Sequence, residues 1–183
     1  MRLFVSVDLD GLAGEIADVQ EAIADASGVR RTDPGNVHVT LKFLGEVEDE
    51  RVPDLTAALA EAIDGTGVDS FTAAFGGLGA FPSEEYIRVL WIGVHEGGEE
   101  LTRLHEAIEN RTTEMGFDPA DHEFTPHATI ARMDHAGGKA EVQRALRETD
   151  PTVGTLDVSE VRLTESTLDD DGPEYTTVER FAF

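Results

Sequence analysis

Two histidines in this chain stand in the same short pattern, His-x-Thr followed by an apolar residue. The first occurrence is His38-Val39-Thr40-Leu41, and the second, His127-Ala128-Thr129-Ile130, follows 89 positions later. On a β-strand, residues i and i+2 point to the same face, so each histidine projects together with its threonine. If the two strands lie side by side, two imidazoles and two hydroxyl groups converge on one point. That arrangement would fit a tetrahedral phosphate.

These residue types suit the opening of a cyclic phosphodiester. One group must deprotonate the attacking water and another must protonate the departing oxygen, and imidazole, with an unperturbed pKa of about 6.5, can do either. The threonine hydroxyls would donate hydrogen bonds to the non-bridging oxygens, where negative charge builds up. This chemistry needs no metal or other cofactor. A single His-x-Thr motif could equally be a structural strand histidine, but two of them favour a catalytic pair.

Three further residues are candidates for the same site. Arg132 follows the second motif and is suited to binding phosphate, although a surface ion pair is the alternative. Lys42 lies on the same face of the first strand as His38 and Thr40, so it is predicted to line the same groove. Phe81 could stack on a base, or it could belong to the core.

The rest of the chain alternates between strand and helix patterns. Strands are predicted at residues 2–9, 37–44, 69–75, 86–94, 126–131, 153–165 and 174–183, and helices at 11–26, 49–63, 99–115 and 137–148. The glycine-rich segment 76–82 is predicted to be a turn, since no Gly-Lys-Ser/Thr follows that would make it a phosphate-binding loop. The order suggests one unit used twice. We therefore expect an α+β fold, a bilobal internal duplication in which two antiparallel sheets line a central groove and helices pack on the outer faces. The whole chain, 1–183, is expected to be one catalytic domain, with motif 1 at 38–41 and motif 2 at 127–130.

The composition excludes several classes of site. With no cysteine, the chain can form no disulfide, thiolate nucleophile or cysteine-ligated zinc site. Its formal net charge is −24, and only Lys42 and Lys139 are lysines among the 14 basic residues. Nucleic-acid binders usually show the opposite balance. Because the acidic residues are spread along the chain, we interpret the charge as a sign of a halophile. The high salt concentration of its cytosol would screen the repulsion between acidic side chains.

The sequence also bears on location and on metal binding. No apolar run approaches the roughly 18 residues that a membrane-spanning helix requires, and the first residues do not resemble a secretion signal. We expect a cytoplasmic protein that does not bind membranes and is a monomer. Asp121, His122 and His135 lie near the second motif, but their spacing is not that of a helical metal site, and no metal is predicted.

The paired motifs and several flanking segments resemble the two-histidine phosphoesterase superfamily, and specifically the RNA 2′,3′-cyclic phosphodiesterases, also called the 2′-5′ RNA ligase family. The similar segments, which span nearly the whole chain, are RLFVSVDL at 2–9, NVHVTLKFLGEV at 36–47, GAFP at 79–82, RVLW at 88–91, PHATIAR at 126–132 and STLDDDGPEY at 166–175.

This resemblance implies hydrolysis of the 2′,3′-cyclic phosphate of RNA ends or nucleotides to a 2′-phosphomonoester. It assigns His38 as the proton donor and His127 as the proton acceptor, with Thr40 and Thr129 binding the phosphate. The spacing of the motifs alone does not distinguish donor from acceptor. Three alternatives remain open: a module that binds nucleotides or RNA ends without turnover, a phosphodiesterase for a non-RNA cyclic phosphate, and reversible 2′-5′ RNA ligation at the same site.

Overall fold

The computed structural model describes all residues from 1 to 183 and contains nine strands and four α-helices. The strands are β1 (Arg2–Asp8), β2 (Val29–Arg31), β3 (His38–Glu46), β4 (Phe71–Pro82), β5 (Ile87–Glu96), β6 (His127–Met133), β7 (Thr152–Val158), β8 (Glu160–Asp169) and β9 (Gly172–Ala182). The helices are α1 (Ala13–Gln20), α2 (Val52–Gly65), α3 (Gly98–Glu114) and α4 (Lys139–Glu148).

The strands form one antiparallel sheet whose centre carries both His-x-Thr motifs. The order across the sheet is β7-β4-β5-β6-β3-β1-β8-β9, with β2 paired to the far end of β6. The predicted α+β class is confirmed. The two predicted sheets correspond to the two halves of this order, and they are joined where β3 pairs with β6 through Val39 and Ala128.

The helices cover the sheet face opposite the motifs and supply much of the core. Helices α2 and α3 pack on each other and on the half that contains β3, whereas α1 contacts β6 and β7 in the other half. In α3, Leu101, Leu104 and Ile108 recur at helical spacing and are fully buried. Gly97 immediately precedes this helix with φ +90°, and a Cβ there would lie 3.1 Å from the Ala73 backbone. Only glycine therefore fits the junction.

Two predicted boundaries are wrong for identifiable reasons. The glycine-rich run is not a turn but lies inside β4, where the indole of Trp91 on β5 lies across Gly79, and a Cβ at Gly79 would stand 2.1 Å from that ring. Glycine is needed here for close approach and not for a turn. The predicted strand 153–165 is two strands, β7 and β8, that separate at Ser159 and pair with opposite ends of the sheet.

None of the helices combines the length and the apolar character that crossing a membrane would require.

Candidate active site

The two motifs lie next to each other at the centre of the sheet and face the same side. The antiparallel strands β3 and β6 pair through Val39 and Ala128, and both of these residues are fully buried toward the helices. Side chains alternate along a strand, so the residues on either side of this pair point to the opposite, open face. Because the strands run antiparallel, His38 lies on the Thr129 side of the pair and Thr40 on the side of His127. Two imidazoles and two hydroxyls thus surround one point.

Both imidazoles are held by the same backbone contact. Nδ1 of His38 lies 2.8 Å from the carbonyl oxygen of Asn36, and Nδ1 of His127 lies 2.6 Å from that of Thr125. A carbonyl only accepts hydrogen bonds, so Nδ1 carries the proton and donates in each ring. Each Nε2 is therefore left without a backbone partner and is available to exchange a proton with a bound molecule.

Aromatic side chains form a wall beside each histidine. The ring of Phe4 stacks on His38 with a centroid distance of 4.8 Å, and Tyr175 contacts the same imidazole edge-on at 5.6 Å. On the other side, Phe81 meets His127 edge-on at 4.9 Å, and Trp91 lies 5.9 Å from it. These contacts orient the ring planes and shield part of each imidazole from water.

Burial lowers the pKa of His38, which disfavours its charged form. The carbonyl of Asn36 and the carboxylate of Asp8 oppose this effect and raise the pKa, whereas the positive charges of His127 and Arg132 lower it further. The net result is a pKa below the usual value of 6.5. A histidine that is neutral at pH 7 but easily protonated when an anion binds is suited to proton transfer.

The environment of His127 differs in one respect. Burial lowers its pKa, the carbonyl of Thr125 raises it, and the charges of His122 and Arg132 lower it. No carboxylate raises it, whereas Asp8 acts on His38. The two imidazoles are therefore geometrically similar but electrostatically different.

A β-bulge occupies the last position of each motif. Where β3 pairs with β1, the register passes directly from Thr40 to Lys42, so Leu41 has no partner. Where β6 pairs with β5, it passes directly from Thr129 to Ala131, so Ile130 has no partner. One extra residue exchanges the faces of all side chains that follow it.

The bulge in β3 overturns the prediction for Lys42. Unbroken alternation would place Lys42 beside His38 on the open face, but after Leu41 its side chain points to the helices. Its Nζ lies 2.8 Å from Oε2 of Glu109 and 2.6 Å from the carbonyl oxygen of Asp118, and its side chain is 4% exposed. Lys42 does not line the groove. Phe43 takes that direction and is exposed.

The bulge in β6 has the opposite consequence for Arg132. It turns Arg132 back to the open face, where the guanidinium is exposed and has no carboxylate within 4 Å. Its charge lowers the pKa of His38, His127 and Tyr175, so it lies close to all three rings. The structure thus brings Arg132 together with the two motifs.

Phe81 lies at the edge of the groove on β4 and is partly buried. Its ring packs against Trp91 at 5.0 Å and against His127 at 4.9 Å. Its stacking on a base stays a prediction.

Asp8 and Arg162 are site residues that sequence reasoning missed. Asp8 stands opposite His38 in the register of β1 and β3. Its two carboxylate oxygens accept hydrogen bonds of 2.7 Å from Oγ of Ser6 and from Nη1 of Arg162. Arg162 also donates to Glu160 at 2.8 Å, which fixes the carboxylate of Asp8 beside the imidazole. Asp8 lies in the segment RLFVSVDL, but nothing in that segment points to His38, and Arg162 belongs to no motif, so the pairing of distant strands was needed to reveal their roles.

The residues near the second motif that were considered as metal ligands do not gather. Asp121 accepts a 2.6 Å hydrogen bond from Nδ1 of His122 at the surface, whereas Nδ1 of His135 accepts from the Gly137 amide. No group of three or more His, Cys, Asp or Glu side chains is arranged to hold a metal ion.

Comparison with known proteins gives consistent matches over nearly the whole chain. A family model described as the 2′-5′ RNA ligase superfamily matches residues 9–170. An Aeropyrum pernix protein named RNA 2′,3′-cyclic phosphodiesterase is 36% identical over 169 residues, which cover 91% of this chain and 94% of the relative. An Archaeoglobus fulgidus protein of the same name is 35% identical over 183 residues, 99% of either chain.

Solved structures agree on the fold. The Thermus thermophilus protein TT0787 superposes with a TM-score of 0.83 at 28% identity and covers 100% of this chain and 97% of its own. Escherichia coli LigT, solved with 3′-AMP, superposes with a TM-score of 0.81 at 23% identity over the same shares of the two chains. At that identity, the likeness to LigT supports the fold alone.

Proposed function

Because the chain belongs to the 2′-5′ RNA ligase superfamily, we propose that it hydrolyses the 2′,3′-cyclic phosphate of RNA ends or nucleotides to a 2′-phosphomonoester. The observation that carries the proposal is the pair of imidazoles with unpartnered Nε2 atoms, set on adjacent strands and flanked by two threonine hydroxyls. The two relatives, which match 91% and 99% of the chain, carry the name of this activity.

The reaction needs only proton transfers and charge stabilisation. His127 accepts a proton from water at Nε2 while the water oxygen bonds to phosphorus. The bond from phosphorus to O3′ breaks, and His38 donates the proton that O3′ requires. The products are a 2′-phosphate and a free 3′-hydroxyl. Both histidines then return to their starting states by proton exchange with solvent.

The phosphate oxygens are assigned to the remaining groups of the site. Thr40 and Thr129 donate hydrogen bonds to the non-bridging oxygens, and the guanidinium of Arg132 offsets the charge of the five-coordinate transition state. Arg132 can serve in this way because no carboxylate lies within 4 Å of it.

Asp8 supports the assignment of His38 as donor. The donor must be protonated when substrate is bound, and Asp8 is the one carboxylate that raises the pKa of either imidazole. His127 lacks such a partner, which favours its neutral form and suits a base. The assignment of donor and acceptor rests on the family resemblance, and the position of Asp8 beside His38 supports it.

We propose that the chain works as one catalytic domain of two lobes related by duplication, and as a monomer in the cytoplasm. Three features that occur once in each half of the sheet support the duplication: the His-x-Thr motif, the carbonyl two residues before each histidine that binds its Nδ1, and the bulge after each threonine. Few large hydrophobic side chains are exposed, which supports a monomer.

The test is to identify the product formed from a nucleoside 2′,3′-cyclic phosphate in the presence of EDTA. We expect only the 2′-phosphate, separated by chromatography from the 3′ isomer. A 3′-phosphate would mean that the other ester bond breaks, and absence of turnover would leave a binding module or a different cyclic substrate. With an RNA 5′-hydroxyl end also present, a 2′-5′ linked product would reveal the reverse reaction.

A further inference from the structure

A second basic cavity adjoins the groove beyond the end of the second motif. Its volume is about 450 Å³, and it is lined by the ends of β2, β5 and β6, the segment that joins β4 to β5, and the first residue of α4. Arg132 belongs both to this cavity and to the surroundings of the two histidines. The cavity therefore borders the catalytic groove at Arg132.

The charge of this cavity is unlike that of the rest of the molecule. Four basic side chains line it, against two acidic ones, in a chain whose net charge is −24. The basic ones are Arg30, Arg88, Arg132 and Lys139. Only Arg30 has a carboxylate within 4 Å, the exposed Asp134 at 3.2 Å. Three cations without an acidic partner in one place, on so acidic a protein, suggest an anionic ligand.

The strand register adds a second observation. Arg30 of β2 stands directly opposite Arg132 of β6. Like charges at directly opposed positions destabilise a pair of strands. Asp134 neutralises Arg30 at 3.2 Å, whereas Arg132 has no carboxylate of its own, and a bound phosphodiester would offset its charge.

An exposed aromatic ring lies at the same place. Tyr86 is 57% exposed and lines the cavity. The guanidinium of Arg88 lies 5.3 Å from its ring centroid and donates to its hydroxyl at 2.9 and 3.0 Å. Basic groups that contact a backbone, beside an aromatic ring on which a base can stack, are the usual elements of a single-strand binding surface.

We propose that this cavity binds the phosphodiester backbone of RNA immediately 5′ to the cyclic phosphate, so that RNA ends are better substrates than mononucleotides. The inference rests on the proposed function. A cyclic phosphate occupies the 2′ and 3′ oxygens of the last ribose, so the rest of the strand can leave the groove only through the 5′ oxygen. The cavity shares Arg132 with the catalytic groove and can receive the next phosphate.

The experiment compares two substrates, a nucleoside 2′,3′-cyclic phosphate and a short oligoribonucleotide with the same terminal group. The variant is Arg88→Gln/Lys139→Gln, which removes two charges from the cavity and leaves Arg132 intact. The matched control is Arg144→Gln/Arg147→Gln, which removes two exposed charges from α4 outside the cavity. Unfolding midpoints establish that both variants are folded.

We expect the wild type to have a lower KM for the oligonucleotide. The cavity variant should raise that KM by on the order of tenfold, as two lost ion-pair contacts imply, without changing kcat/KM for the mononucleotide. The slope of log KM against log salt should fall by about 0.7 for each lost contact. The control should resemble the wild type on both substrates.

Three outcomes would overturn the inference: no preference of the wild type for the oligonucleotide, an equal effect of the cavity variant on both substrates, or the same effect from the control. Absence of turnover by the wild type on both substrates would instead contradict the proposed function, and the inference with it.

Discussion

Replacing Lys42 with methionine separates a structural role from a role in phosphate binding. The ammonium of Lys42 is 2.8 Å from Glu109, and the side chains are 4% and 17% exposed. Burial alone would raise the pKa of Glu109, but hydrogen bonds from Lys42 and the Ala120 amide, together with the charge of Lys42, hold it below its usual value. Lys42→Met leaves this carboxylate poorly solvated and without its cation.

The expected cost follows from the burial of the pair. Removing one partner of a buried ion pair costs about 3 to 5 kcal/mol, and the partial exposure of Glu109 favours the lower end, about 3 kcal/mol. For a chain of this length, 1 kcal/mol corresponds to about 2–4 °C, so the unfolding midpoint should fall by about 6–12 °C. Urea unfolding at pH 7 measures the free energy directly.

The activity of the same variant provides the contrast. Measured well below its unfolding transition, kcat/KM for a cyclic nucleotide should stay within about twofold of the wild type, because Lys42 faces the helices. The double variant Lys42→Met/Glu109→Leu should recover part of the lost stability, since it removes both charges but leaves the Ala120 amide and the Asp118 carbonyl without these partners. Unchanged stability together with a large loss of kcat/KM in the single variant would contradict the structural role and place Lys42 in the groove.

Three further predictions concern the catalytic groups. Asp8→Asn removes the carboxylate that raises the pKa of His38, so the basic limb of the pH–kcat/KM profile should move to lower pH; an unmoved limb would contradict His38 as the donor. Thr40→Val and Thr129→Val should each lower kcat by about 10²- to 10³-fold in single-turnover assays while the unfolding free energy changes little; a change in KM alone would rule out a role in the transition state. Because the pKa values of both His38 and His127 are lowered, the bell of kcat/KM should lie below pH ~6.5. At these two histidines the unfolded chain therefore binds protons more tightly than the folded protein. The stability that the neutral histidines contribute is full above pH ~6.5 and is lost as the pH falls through their folded pKa values. Stability that rises on acidification through this range would contradict the burial of the two rings.

The central strands could be predicted because their pattern is local. Alternation of apolar residues with His38 and Thr40 in one segment, and with His127 and Thr129 in the other, placed each pair on one face without knowledge of the partner strands. The helices were predicted for the same reason, since burial of one face of a helix leaves a period in the sequence.

The orientation of Lys42 was not predictable from alternation. A bulge depends on the partner strand, and Leu41 is as apolar as any regular core residue, so the sequence of β3 contains no sign of the extra position. The same limitation applies to Gly79, whose glycine is required by Trp91 on the neighbouring strand. The pattern there is equally typical of a turn.

The electrostatic surroundings of the histidines also required the structure. Asp8 and Arg162 are 154 positions apart and meet only because β1 pairs with both β3 and β8. Tyr175 reaches His38 from β9, the last strand of the chain. Contacts of this kind depend on strand order, which a single sequence does not encode in any short pattern.

In the proposed reaction, His38 and His127 act as an acid–base pair. The most direct measurement is the rate of hydrolysis of a nucleoside 2′,3′-cyclic phosphate in EDTA by His38→Gln, by His127→Gln and by the variant with both substitutions. We predict that each single variant loses about 10²- to 10⁴-fold in kcat, and that the double variant is little slower than the worse single one, since the two groups act in one step. A single variant that retains more than about a tenth of the wild-type kcat would contradict the claim.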